Sequence, residues 1–303
     1  MPIELQELRK QLIYEETALF DIVKTDLDDI EALSQLAKIR QKKFSKQAFY
    51  YFIATVLLGF IRFSIFNGAV ASIFQKAIIL LLNMGLLGLT IACIYMLFMM
   101  FKFRRLNLVN YRYDLSQSLM RMLARDIDET NSIYLKLSFQ KSEKNEYKTD
   151  TLDHPYKSGW KIDIYKNKWL DIKGRFLDKT RFVLTINELT KKQYGWKRSR
   201  SGKKKYKSKI KLRGLDINLI LSYPQHKYGS VKILQNDVIN AIKLPNCSVV
   251  RGIKITNKTM NLNVRISPEV SENESDIYIT IVAMFLSLYQ VLNLAKILYK
   301  EKS

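Results

Sequence analysis

The chain has 303 residues, enough for one large or two modest domains. Fifty Lys and Arg against 28 Asp and Glu give a formal charge of +22, which favours partners carrying negative charge. Two cysteines and two histidines exclude a disulfide scaffold and argue against a zinc site of the usual Cys/His composition.

Residues 1–47 read as an amphipathic helical arm. Leu5, Leu8, Leu12, Leu19, Ile22 and Val23 recur at helical spacing. Thr25, with Asp28 three residues on, resembles a capping box that opens a second helix. Along that helix Leu27, Ile30, Leu33, Leu36 and Ile39 form a stripe. The stripe either packs on the chain's own soluble domain or forms a self-association seam, and a homo-oligomer is expected.

A two-helix transmembrane hairpin is predicted over 48–103, with apolar segments at about 49–66 and 77–101. Roughly twenty apolar residues cross a hydrocarbon core. Lys38, Arg40, Lys42, Lys43 and Lys46 precede the hairpin and Lys102, Arg104 and Arg105 follow it, whereas the connecting loop has only Lys76. The positive-inside tendency then gives a multi-pass membrane protein with two crossings and both termini cytoplasmic. Arg62 and Asn83 fall in the outer part of the bilayer, where they are placed to pair. Arg62 either snorkels to the interface or marks a polar position in an oligomeric bundle or pore. Gly85, Gly88 and Ala92 permit close helix approach.

Residues 104–131 read as a helical stalk, with Leu108, Leu115, Leu119, Met122 and Leu123 at helical spacing. The stalk would continue the second membrane helix and pair with the N-terminal arm. From Ser132 the period switches to two, beginning with Ile133, Leu135, Leu137 and Phe139. After a polar linker over 141–159, short runs around Ile162, Leu184, Ile217, Ile253 and Leu262 continue that alternation. The prediction for 132–303 is a basic cytoplasmic domain, an antiparallel β sandwich or small barrel closed by a C-terminal helix over 276–300. A third crossing over 276–300 is the alternative. It would put Lys296, Lys300 and Lys302 outside, against the charge rule. The whole is therefore an α+β membrane protein.

Within that domain, Lys191 to Arg213 contains twelve Lys or Arg and no acid. The segment RSRSG reads as a turn between two strands. Beyond it Lys203, Lys205, Lys207, Lys209, Lys211 and Arg213 occupy every second position, which on a strand makes a basic rail about 33 Å long. Tyr206, Ser208, Ile210 and Leu212 are expected to pack on the reverse, and Tyr194 and Trp196 share a face across the turn. The candidate polyanion-binding set adds Lys191, Lys192, Lys197, Arg198 and Arg200 to these cations and the two rings. Such a surface suits nucleic acid or a nucleotide-like ligand, with cations on phosphates and rings on bases. It also suits acidic lipid headgroups or another protein. The plainest reading is an edge protected against aggregation by its lysines.

Neither a P-loop, a GxSxG elbow nor a dinucleotide fingerprint is present. His154 and His226 are lone histidines in loops, and Asp178 in FLDKT is explained by turn chemistry. No catalytic residue, cofactor or metal is assigned. The resulting expectation is a membrane-anchored, oligomeric binding or sensor protein whose β-domain binds a polyanion and signals to the hairpin. Alternatives are a structural scaffold lying on acidic lipid and a small channel. The order of parts, though no motif, is similar to bacterial membrane effectors of anti-phage signalling. That resemblance implies a membrane-perturbing defence effector.

Overall fold

The computed structural model describes residues 11–66, 73–104, 110–128, 130–199, 201–229, 231–234, 238 and 242–301. Leu5, Leu8, Arg105, Leu106, Leu108 and Arg200 lie outside the described residues. The chain divides into two compact units, Met1–Leu27 with Val109–Ser303, and Asp28–Leu108.

In the first unit eight antiparallel strands form one sheet. They are β1 (Ile13–Leu19), β2 (Ser132–Ser138), β3 (Lys148–Asp153), β4 (Trp160–Arg175), β5 (Arg181–Arg198), β6 (Lys204–Ser222), β7 (Ser248–Ile255) and β8 (Thr259–Ile266). The spatial order is β1-β2-β4-β5-β6-β8-β7, with β3 beside β4. The expected sandwich or small barrel is therefore replaced by a single open sheet. Alternation gives it one apolar face only, and helices cover that face in place of a second sheet. Leu135, Leu137, Ile172, Leu184, Ile186, Ile217, Leu219, Leu262 and Val264 are fully buried there. Helix α3 (Asn110–Leu123) adds Leu115, Leu119 and Leu123, and α4 (Glu274–Glu301) adds Ile277, Ile281, Met284, Leu288 and Leu292. The two helices pack on each other, and α4 also packs on β6 and β8. The apolar face of α3, expected in a stalk, is thus part of this core.

Two segments depart from the sequence reading. Residues Ile13–Leu19, expected in a helical arm, pair along their whole length with β2, from Ile13↔Ser138 to Leu19↔Ser132. Of the helically spaced leucines only Leu19 falls in this strand. Main-chain pairing with β2 overrides the local pattern, with Lys136 and Tyr134 adding exposed contacts to Glu15 at 2.6 and 2.7 Å. Lys148–Asp153, placed in a polar linker, is a strand whose every residue is exposed, so no apolar alternation announces it.

Helix α1 (Phe20–Phe66) follows β1 directly. No cap interrupts it at Thr25, whose Oγ1 donates to the Asp21 carbonyl at 2.9 Å inside the helix. Its first turns belong to the sheet-bearing unit, where Val23 and Leu27 are buried and Tyr14 donates to Asp26 at 2.8 Å. The second unit is a hairpin of the remainder of α1 with α2 (Ile73–Arg104). Phe44 stacks on Phe103 at 5.5 Å, with Arg40 over the same ring. A Cβ on Gly59 would meet Leu86 at 3.7 Å, and one on Gly85 would meet Leu58 at 3.6 Å. This antiparallel offset puts Arg62 and Asn83 at one level, yet no hydrogen bond joins them among the described residues, and Arg62 is exposed. Helices α1, α2 and α4 are each long and apolar enough to cross a membrane, but half of the apolar stretch of α4 is buried inside its own unit.

A charged cluster closes one end of the core. Arg112 on α3 pairs with Glu188 on β5 at 2.6 Å, and both side chains are nearly buried, at 4% and 13% exposure. Arg112 also donates to the Ser138 and Gln140 carbonyls at 2.9 and 3.1 Å, while Tyr111 and Ser142 donate to Glu188. Removing one partner strands a buried charge. Arg112→Met should cost about 3–5 kcal/mol in a denaturant melt, and Arg112→Met with Glu188→Leu should regain most of it.

Candidate polyanion-binding face

Past Leu215 the sheet narrows. Strand β8 pairs with β6 only from Leu215 to Ser222, so Lys204–Arg213 is a free edge among the described residues. Strand β4 follows β5 as far as Gly195, leaving Trp196↔Tyr206, Lys197↔Lys205 and Arg198↔Lys204 as a two-stranded tip. The tip closes through the expected turn. Ser199 N donates to Lys203 O at 2.8 Å and Gly202 N to Ser199 O at 3.0 Å, with Gly202 at φ +76°.

Residues paired directly across antiparallel strands share a face. Lys191↔Lys211, Gln193↔Lys209, Gly195↔Lys207 and Lys197↔Lys205 therefore define a lysine face, which the exposed Lys203 extends at the turn. Lys192↔Ile210, Tyr194↔Ser208, Trp196↔Tyr206 and Arg198↔Lys204 define its reverse. Tyr194 and Trp196, expected to stack a ligand beside the rail, thus lie on the opposite side of the ribbon. The expected packing of that reverse side is also missing: every residue from Lys204 to Lys211 is exposed. The buried alternation of β6 begins only at Leu215, and no element covers Tyr206 or Ile210 among the described residues.

Arg213 leaves the ladder. Leu189 pairs with Gly214 and Thr190 with Leu212, so Arg213 is the extra residue of a bulge. Gly214 sits at φ +105°, and a Cβ there would collide with the Ile266 carbonyl oxygen. Only glycine fits.

The structure supplies a ring that sequence reasoning missed. Trp160 on β4 pairs with Gly195 and lies over it on the lysine face; a Cβ on Gly195 would meet its ring at 2.5 Å. Its Nε1 donates to the Trp196 carbonyl at 3.2 Å, and Lys157 Nζ stands 4.5 Å from the ring centroid. Large aromatics lying over strand glycines are a recurring device, but only the register reveals this one.

The electrostatics of the two faces differ. On the lysine face like charges stand opposite each other at Lys191↔Lys211 and Lys197↔Lys205, which is unfavourable for the isolated ribbon. None of these lysines has an acidic partner among the described residues. Asp150, across from Ile164 on β4, is the acid that β3 brings to this side. On the reverse, Asp163 accepts from Lys148 at 2.8 Å, Thr151 at 2.8 Å, Tyr165 at 3.2 Å and Tyr194 at 3.3 Å. Burial alone would raise its pKa, but Lys148 and Thr151 outweigh burial and hold it below the ordinary carboxylate value.

No protein-family model, curated protein or solved structure matches the chain. The reading of the face accordingly rests on its geometry. Side chains every second residue repeat at about 6.6 Å along β6, so an extended chain of anionic groups can run along consecutive lysines.

Gly195→Ala should displace the Trp160 ring, shifting its emission and near-ultraviolet dichroism while far-ultraviolet dichroism is retained. Because the folded-state pKa of Asp163 is depressed, its pairing stabilises the fold above the ordinary carboxylate range and is lost as pH falls through the depressed value. Asp163→Asn should therefore lower stability at pH 7 and flatten the acid limb of an unfolding titration.

Proposed function

We propose that this chain is a membrane-anchored protein whose lysine face binds an extended polyanion of the nucleic-acid or nucleotide-like class. The observation that carries the reading is the run Lys205, Lys207, Lys209 and Lys211, faced by Lys191 and Lys197 and adjoining the Trp160 platform. Repulsion within this array is relieved when phosphates enter it, and a ring on the cationic side gives bases a surface to stack on. Edge protection needs far fewer charges than this.

Two crossings by α1 and α2, with both termini cytoplasmic, are supported by the basic flanks of the hairpin and by the partial burial of α4. Helix α1 carries residues of both units, and a signal from the bound polyanion would pass to the hairpin along the chain. An oligomeric, membrane-perturbing response would follow from that linkage.

The full chain, reconstituted in nanodiscs of zwitterionic lipid, should bind a fluorescent single-stranded oligonucleotide with strong salt dependence. Changing Lys205, Lys207, Lys209 and Lys211 to Ser should weaken binding and lower the salt slope by about 3, at roughly 0.7 per phosphate contact. Equal binding by the variant, or no binding at low salt, would sink the reading. Binding to anionic vesicles with no response to oligonucleotide would assign the ladder to headgroups.

A further inference from the structure

The reverse of the ribbon forms a second surface that the polyanion reading leaves unused. Trp196, Tyr206 and Ile210 are 63%, 54% and 47% exposed, unusual values for large apolar side chains gathered on one face. They form one patch. Trp196 meets Tyr206 edge-on at 5.6 Å, and Tyr206 lies 6.2 Å from Tyr194, which Asp163 anchors. The patch is framed by cations: Lys192 is paired with Ile210, and Arg198 and Lys204 are paired just beyond the rings. From Trp196 to Tyr206 there is no acid, and among the described residues no third strand flanks the last three pairs.

Tryptophan and tyrosine beside Arg and Lys, around a small apolar area, match the chemistry of a phospholipid headgroup region. Amphipathic rings settle there and cations meet lipid phosphates. Base stacking fits less well, because Trp196 and Tyr206 occupy one another's edges in a single cluster and are not spaced as successive platforms. The same chain carries helices long and apolar enough to cross a bilayer, so a membrane is at hand. The geometry points to an anionic phospholipid bilayer as the partner of this face. Trp196, Tyr206 and Ile210 enter the interface, and Lys192, Arg198 and Lys204 contact phosphates.

The three tryptophans, Trp160, Trp169 and Trp196, all lie outside the hairpin, so quenching by brominated lipid reports only on the sheet-bearing unit. Trp169 is fully buried. In nanodiscs of mixed zwitterionic and anionic brominated phospholipid, the full chain should show quenched emission. Trp196→Phe should lose roughly half or more of the quenchable signal, and Trp160→Phe should keep it. Arg198→Ser with Lys204→Ser, which leaves Trp196 as reporter, should weaken quenching in anionic discs. Equal quenching in wild type and Trp196→Phe would overturn the proposal. So would a Trp196 signal that responds to oligonucleotide and not to lipid. Neither result depends on whether the lysine face binds its own ligand.

Discussion

Antiparallel pairing of β5 with β6 decides, two residues at a time, which side of the sheet each cation takes. With Lys197 opposite Lys205, every odd-numbered lysine back to Lys191 joins one surface, and Tyr194, Trp196 and Tyr206 are committed to the other. A slip of one residue would exchange the two sets. The bulge at Arg213 guards against that slip. It lets the buried alternation of Leu215, Ile217 and Leu219 and the exposed alternation of Lys205 to Lys211 coexist on one strand, although both use odd positions. Gly214 is the residue that makes the phase change possible.

A ribbon bearing this much positive charge requires a firm base. Cross-strand repulsion works against its pairing, so order is imposed from the ends inward. At the core end, Arg112 and Glu188 tie β5 to α3 and to the segment after β2. Part-way along, Trp160 clasps Gly195 and bonds the backbone of Trp196, binding β4 to the outer reach of β5. The buried alternation that stabilises the unit and the exposed alternation that carries the lysines occupy different lengths of the same two strands, β5 and β6.

The sequence was informative where burial is one-sided. Runs such as Leu215–Leu221 and Met260–Ile266 alternate cleanly because one face enters the core, and RSRSG marks its turn through Gly202. The helix predicted over 276–300 is present because its apolar positions repeat at helical spacing. What escaped depended on distant partners. Strand β1 shows its period only when β2 lies beside it, and β3 has no buried residue to mark it. Alternation identifies an inner face but does not say whether helix or sheet covers it, so a single helix-covered sheet and a sandwich share one sequence pattern. For the site, the lysine spacing was legible. The separation of Tyr194 and Trp196 from the ladder, and the place of Trp160 within it, required the register.

The pairing of Leu19 with Ser132 spans the entire helical hairpin. On a ribosome adding about 5–20 residues per second, β1 waits roughly 6–23 s for its partner. During that interval it is an unsatisfied strand edge attached to apolar helices, the kind of segment that recruits wrong partners. Strands β6 and β8, on which α4 packs, also lack that cover until α4 emerges, after all eight strands. Completion of the core therefore waits on α4, whose Ile277, Ile281, Met284, Leu288 and Leu292 are fully buried.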